Sequence, residues 1–469
     1  MTTKTTEVLV IGAGPGGYVA AIRAAQLGKK VLCVEKDKLG GVCLNVGCIP
    51  SKSVIHAAKQ WRALHHEAPD LGIHVQGATL DFGKTQAWKR QVTESLSNGI
   101  GQLFKANKVE HVFGTAQLTG PRTAEVRTKD GVVKVEFQHC ILATGSRPIE
   151  VPGFTFDHQR VLDSTSALDL NAVPGSLVVI GGGFIGLEIG QAFAAFGAKV
   201  AVVEMMEQIL PGQDPDVVRI VERRLKKDGV TVFTKAKAKS FDGQAVVIEV
   251  DGKEERIPAE KVLVSVGRRP NTENLGLDRA GVKMGEKGLI QVNDKGQTSV
   301  PNIYAIGDIV PGPALAHKAS KEGLVAAAHI AGDKGAALDY KALPWAVFTE
   351  PEIATVGLTE AQAKAKGYDP VVARFPYAAL GRAKSTNSTE GFVKLVADRK
   401  TDLLLGVHAV GAEASNIIGE AALAIELGAT ATDLALTIHV HPTFPEALME
   451  AAEGVHGKMV HAVNAPPRG

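Results

Sequence analysis

Only four cysteines stand in 469 residues, and the run Met-Thr-Thr-Lys-Thr-Thr-Glu leads straight into a strand at Val8 to Ile11, leaving no room for a signal or transit peptide. So few thiols without a secretory context argue against a disulfide-stapled scaffold, because stable intracellular disulfides are usually redox devices. Charge of one sign is missing as well: 52 Lys and Arg face 50 Asp and Glu, and no basic run stands out. Nothing therefore calls for nucleic acid or an anionic membrane. No apolar run approaches the roughly 20 residues of a membrane span. A length of 469 residues predicts two to four domains and a hydrophobic fraction of 45% a globular protein; the balanced charge points to small-molecule chemistry, the missing leader and span point to the cytoplasm, and no metal site is expected.

Two of the cysteines, Cys33 and Cys140, lie in the apolar strands Val31-Leu-Cys-Val-Glu35 and His139-Cys-Ile-Leu-Ala-Thr144 and read as buried small hydrophobes. The other two, Cys43 and Cys48, fall in Gly-Gly-Val-Cys-Leu-Asn-Val-Gly-Cys-Ile-Pro-Ser-Lys, residues 40 to 52, just after a dinucleotide fingerprint. That juxtaposition points to electrons passing between a nucleotide cofactor and a disulfide. Residues five apart on a regular helix point about 140° away from each other, whereas a disulfide needs Cα atoms roughly 4.4 to 6.8 Å apart. The segment must bend between them. Gly47 can take the unusual angles, and Pro50 suits the first turn of a helix running through Ser51, Lys52 and His56 toward Trp61. Cys48 then sits at a helix N-terminus, where the dipole favours a thiolate.

The fingerprint itself is Gly12-x-Gly14-x-x-Gly17, between the strand Glu7 to Ile11 and a helix from Tyr18 to Leu27, with Glu35 ending the next strand. The first glycine permits the tight turn, the second lets the backbone approach a pyrophosphate, and the third lets helix and strand pack closely. The pattern recurs as Gly181-x-Gly183-x-x-Gly186, after the strand Ser176 to Ile180 and before a helix Leu187 to Phe196, with Glu204 ending the second strand. In both copies the acidic residue follows the third glycine by 18 positions. Two dinucleotide sites imply an internal redox relay. Glu35 and Glu204 are each placed to accept hydrogen bonds from an adenosine ribose diol, and Glu204-Met-Met-Glu207 offers no Arg for a 2′-phosphate, so the second site favours NAD over NADP.

Together with Ile141–Pro148, Val266–Asn271, Thr298–Asp308, Leu315–Ala319 and His439–Glu446, these segments make the whole chain resemble the flavoprotein pyridine nucleotide-disulfide oxidoreductases. The resemblance implies an α/β fold with two Rossmann-like dinucleotide-binding domains, for FAD and NAD, and a C-terminal α+β dimerisation domain. The expected boundaries are 1–146 for FAD, 147–268 for NAD, 269–340 for a central domain completing the FAD site, and 341–469 for the interface. FAD is implied at Gly12, Gly14, Gly17 and Glu35, with Ala116, the turn Thr144-Gly145-Ser146, Asp308 and Ala316; NAD is implied at Gly181, Gly183, Gly186, Glu204 and Gly267. Lys52 is implied to pair with Glu188 and hold a cation near the flavin. Antiparallel β additions are expected near Val109 to Phe137 and Val230 to Val250, and in the interface region strands around Leu343 to Val356 and Phe392 to Ala409 precede a helix Ser415 to Leu427.

A histidine with a carboxylate to fix its tautomer is the usual general base near pH 7. Spacing alone leaves His439 and His441 open; the resemblance settles on His441, with Glu446 as orienter. A cis peptide bond before Pro442 is a further expectation, as a way of aiming the ring. It further implies an obligate homodimer whose active sites combine Cys43 and Cys48 of one chain with His441 of the other. The substrate implied is dihydrolipoamide on a lipoyl-carrier domain, serving the acyltransferase core of a 2-oxoacid dehydrogenase complex or a glycine-cleavage carrier protein. The alternative is an NAD(P)H-dependent reductase of another low-molecular-weight disulfide.

Overall fold

Strands that are apolar on both faces dominate the two cores, as buried parallel sheets require. In the computed structural model, which describes residues 2–464, the chain forms two compact units. The first holds the residues up to Val151 with Leu162–Ala172 and Val266–Asp339; the second holds Pro152–Val161, Val173–Ser265 and the residues from Tyr340 on.

In the first unit the strands Glu110–Phe113, Val31–Glu35, Thr2–Ile11 and Gly131–Leu142 lie side by side in that order, all parallel. The C-terminal end of Gly131–Leu142 also pairs with Ile303–Ala305, and its N-terminal half turns into an antiparallel ribbon with Thr123–Thr128 and Thr115–Gly120. Every residue of Val31–Glu35 is buried, Cys33 among them. Burial likewise encloses Cys140, and it pushes both thiols well above the ordinary cysteine range, so they are inert packing groups. The helix Pro15–Gln26 follows the first strand and Cys48–Arg62 follows the cysteine turn; the long helix Phe82–Ala106 begins at an Asp81 cap whose carboxylate accepts the Lys84 N–H. The antiparallel reading of residues 109 to 137 is corrected at its start: Glu110–Phe113 runs parallel to Val31–Glu35, because period-two alternation carries no strand direction.

The second unit repeats the plan. Thr231–Phe233, Lys199–Val203, Ser176–Ile180 and Lys261–Val264 form a parallel sheet, and Ala236–Phe241, Ala245–Val250 and Lys253–Pro258 form a separate antiparallel one. The reading of 230 to 250 is corrected in the same way, Thr231–Phe233 belonging to the parallel sheet. Beyond Tyr340 five antiparallel strands lie in the order Trp345–Val347, Glu352–Gly357, Leu404–Gly411, Phe392–Asp398, Pro370–Pro376. One face of this sheet packs Phe375, Leu395 and Val407 against Ile417 and Ala421 of the helix Ala414–Leu427 and Leu448 of Glu446–Val455. From the other face the buried Lys394 ammonium reaches Asp214 at 2.7 Å and Asp216 at 3.0 Å. Strand Pro370–Pro376 was not foreseen from the sequence.

Candidate active site

The two glycine cradles are near-copies. Gly12 and Gly181 both take φ +101°, a left-handed angle that a side chain would strain, and a Cβ at Gly17 or Gly186 would collide with the carbonyl of Gly12 or Gly181. Gly14 and Gly183 cap 12-residue helices, Pro15–Gln26 and Phe184–Ala195, that have no acidic residue in the first turn; a Cβ on either cap would face open space. Glu35 accepts the Ala13 N–H at 2.7 Å and the Asp37 N–H at 2.9 Å; Glu204 accepts those of Gly182 and Met206, each at 2.7 Å. Both carboxylates are thus buried, fixed at the strand ends and left with lone pairs for a diol. An open space at a helix N-terminus, lined by backbone and flanked by such a carboxylate, fits a dinucleotide in each unit.

Beside the first cradle the cysteine turn bends where expected. Cys43 lies in the short helix Gly41–Asn45, Gly47 takes φ −131° and ψ −105°, and Cys48 opens the helix Cys48–Arg62. Both cysteines are partly exposed thiols, hydrogen-bonded to each other. That hydrogen bond to Cys48, then burial, then the Cys48 charge push the Cys43 thiol far above the ordinary range, against the opposing charge of Lys52. Cys43 therefore keeps its proton at neutral pH.

Next to this pair the structure assembles a chain of polar groups. Arg268 donates through Nε to the Ser146 hydroxyl and through Nη2 to the Ser146 carbonyl, both at 2.7 Å, and that hydroxyl donates to Asp308 Oδ2 at 2.5 Å. Burial lowers the Arg268 pKa against the charges of Asp308 and Cys48, which hold the guanidinium charged. The turn at Thr144 and Gly145 is pinned by Asn271, whose side-chain amide donates to the Thr144 carbonyl at 3.0 Å while its own carbonyl accepts the Thr144 hydroxyl at 2.7 Å. Gly307, before Asp308, is gripped by a fully buried ion pair: Glu322 accepts its N–H at 2.6 Å, and Lys318, 2.8 Å from Glu322, donates to its carbonyl at 3.2 Å. Ala316 starts the helix Ala316–Ile330 that carries this pair, Ala116 is buried in Thr115–Gly120, and Gly267 leads into Arg268–Pro270 with φ +137°. The sequence reading missed Arg268, Asn271, Lys318 and Glu322 as positioning groups. The first three lie inside segments it had singled out.

In the second unit His441 Nδ1 lies 2.8 Å from Glu446 Oε1, and the Thr443 N–H donates to Oε2 at 2.7 Å. Burial works to raise the Glu446 carboxyl, but the Thr443 N–H and the His441 hydrogen bond outweigh it and hold the carboxyl below the ordinary range. The His441–Pro442 bond is cis. Of the two histidines His439 is the less available: both its nitrogens are engaged, with the Thr437 carbonyl and Glu420 each at 2.9 Å, and its side chain is buried. His441 is 78% exposed, and its Nε2 has no partner among the described residues. Glu188 is buried in the helix Phe184–Ala195 and accepts the Phe348 N–H at 2.9 Å. Among the described residues no group of three His, Cys, Asp or Glu side chains could hold a metal ion, and no helix is long and apolar enough to cross a membrane.

Comparison with known proteins follows the same division. The pyridine nucleotide-disulphide oxidoreductase model matches residues 6–323, and that family's dimerisation-domain model matches 343–452. The chain belongs to the pyridine nucleotide-disulphide oxidoreductase family. Relatives within the family include the dihydrolipoyl dehydrogenases of Geobacillus stearothermophilus, 53% identical over 462 residues, and Bacillus subtilis, 51% identical over 463, each match covering 98% of both chains. That of Haloferax volcanii is 48% identical over the same shares. Among solved structures, LpdA of Mycobacterium tuberculosis superposes with a TM-score of 0.89 at 28% identity, covering 97% of this chain and 99% of that one. The HOCl-induced flavoprotein disulfide reductase RclA of Escherichia coli superposes with a TM-score of 0.84 at 26% identity, covering 95% and 99%. The dimerisation-domain match spans His441 and Glu446, so both belong to the part of the chain that serves dimer formation in this family.

Proposed function

We propose that this chain is a dihydrolipoyl dehydrogenase, oxidising protein-bound dihydrolipoamide to lipoamide and reducing NAD+ to NADH. The observation that carries the reading is the proton-sharing Cys43–Cys48 pair beside the Gly12–Gly17 cradle. Relatives of that name at 53% and 51% identity support it. Gly12, Gly14, Gly17, Glu35, Ser146 and Asp308 would hold FAD, with the backbone at Ala116, Thr144, Gly145 and Ala316; Gly181, Gly183, Gly186, Glu204 and Gly267 would hold NAD. When bound, FAD takes the electron pair of the reduced thiols and passes it as a hydride to NAD+. Lys52 would pair with Glu188 and keep a cation beside that transfer. The four-region division at 146, 268 and 340 is part of the same proposal.

His441 Nε2 takes a proton from the substrate dithiol, and the thiolate attacks Cys43 Sγ in the oxidised enzyme. The Cys43–Cys48 bond breaks and Cys48 leaves as the thiolate. The second substrate thiol then displaces Cys43 and gives it its proton, releasing the cyclic disulfide. Cys43 ends as the thiol that donates to Cys48, and His441 keeps the first proton until the electron pair has left. His441 would come from the second copy of the chain; its exposure, flanked by Ile438 at 96% and Val440 at 75%, supports this. The carrier would be a lipoyl domain of a 2-oxoacid dehydrogenase complex or a glycine-cleavage protein, in the cytoplasm.

Anaerobic addition of dihydrolipoamide to the purified flavoprotein should reduce it, and NAD, not NADP, should then yield NADH. A flavin that dihydrolipoamide leaves oxidised while NAD(P)H reduces it would instead favour a reductase of another disulfide. Glu204→Gln should raise the KM for NAD about tenfold and narrow the preference over NADP, since a charged acceptor for the diol becomes neutral. Steady-state kinetics with both nucleotides measure this, and an unchanged KM would remove Glu204 from the site.

A further inference from the structure

The two cradles match in backbone but differ sharply just past the carboxylate. After Glu35 the chain continues Lys36-Asp37, with the Asp37 N–H on Glu35 at 2.9 Å; after Glu204 it continues Met205-Met206, with the Met206 N–H on Glu204 at 2.7 Å. The same turn therefore presents two thioethers in one site and two charges in the other. Methionine is normally an interior residue, yet Met205 is 68% and Met206 51% exposed. A base attached to a ribose held by Glu204 would lie toward the residues that follow that strand end, and a thioether is a soft, polarizable surface for it.

We propose that Met205 and Met206 form an oxidation-sensitive adenine platform, through which peroxide lowers the enzyme's affinity for NAD. The inference rests on NAD occupying the Gly181–Gly186 cradle. Each event is a two-electron oxygen transfer: the thioether sulfur takes one oxygen of hydrogen peroxide, the O–O bond breaks, water leaves, and methionine becomes its sulfoxide. The sulfoxide is polar and chiral, a poor surface for a purine face. NAD, a substrate, enters and leaves at every turnover, so these sulfurs are uncovered whenever the site is empty. The nearby Glu207 and Lys235 ion pair is exposed and offers no cover.

The test uses the holoenzyme with Cys43 and Cys48 in the disulfide form, which shields both from peroxide. NAD binding to this oxidised form, which NAD cannot reduce, is first titrated on the untreated protein; absence of binding there would sink the NAD reading itself. Limited hydrogen peroxide treatment is then followed by peptide mass spectrometry, with and without NAD. Sulfoxide should form at Met205 and Met206, NAD should suppress it there, and Met284, 41% exposed in the other unit, should oxidise equally with or without NAD. The Kd for NAD should rise roughly tenfold, and reduction of the flavin by dihydrolipoamide should be unchanged. In the double variant Met205→Leu and Met206→Leu the Kd, whatever its starting value, should no longer move with peroxide. Oxidation at both residues without a change in Kd, or oxidation that NAD fails to block, would overturn the proposal.

Discussion

Cys43→Ser and Cys48→Ser should each cut dihydrolipoamide-driven NADH formation by at least about a thousandfold, because a serine at either position leaves no S–S bond to break. Their absorption spectra should nevertheless differ. In the dithiol, the Cys43 thiol is pushed up first by its hydrogen bond to Cys48, then by burial and by the Cys48 charge. A charge on the pair therefore falls on Cys48, within electrostatic reach of Arg268. With Cys43→Ser, a hydroxyl still stands where the thiol donated, and Cys48 remains a thiolate at a helix N-terminus. This variant should keep a long-wavelength thiolate–flavin band at neutral pH. With Cys48→Ser, Cys43 loses the neighbour that raised it most, but burial remains; its thiol should stay protonated at pH 7 and the band should be missing. The sign can be checked by titration: raising the pH should leave the Cys43→Ser band constant and should ionise Cys43 in the other variant only above the ordinary thiol range. A band confined to the Cys48→Ser variant would reverse the assignment of the two sulfurs.

What the sequence disclosed and what it hid divide along chain distance. The glycine cradles and the bend at Gly47 each span a few residues, and local rules of φ, capping and spacing suffice to read them; the His441–Glu446 pair is as local, but spacing left His439 open and only the resemblance chose His441. The supports of the site do not work that way. Ser146 meets Arg268 and Asp308 across separations of 122 and 162 residues, and Thr144 meets Asn271 across 127. No periodicity relates such positions; only the closing of the sheet around Gly131–Leu142 brings them together. Glu322 was invisible for a different reason, since a Lys-to-Glu spacing of four on a helix reads as a solvated surface pair, and here it is a fully buried clamp on Gly307. Strand direction at Glu110–Phe113 and Thr231–Phe233 was hidden because alternation fixes which face is buried and leaves parallel and antiparallel pairing equal.

His441→Gln should lower kcat/KM for dihydrolipoamide by about 10² to 10⁴, the range for losing a positioned general base, while NADH-driven reduction of the flavin stays near its original rate. Glu446→Gln should cost less, about tenfold to a hundredfold, because the ring remains but its orienting charge is gone. The Glu446 carboxyl is held below its ordinary value, so it is ionised throughout the neutral range, and loss of activity on acidification above about pH 5 belongs to another group. For stability the sign is the usual carboxylate one: its contribution is present above the unfolded value of 4.5 and is lost as the pH falls through the lower folded value. The origin of the histidine is testable with the same variants. If each active site takes its cysteines from one chain and His441 from the other, a heterodimer of a Cys48→Ser chain and a His441→Gln chain contains one intact site. Neither parent has any. Random re-association of an equal mixture should then recover about a quarter of wild-type activity, since half the dimers are mixed and each has one working site of two. A mixture that stays as inactive as its parents after verified subunit exchange would place both halves of the machinery within a single chain.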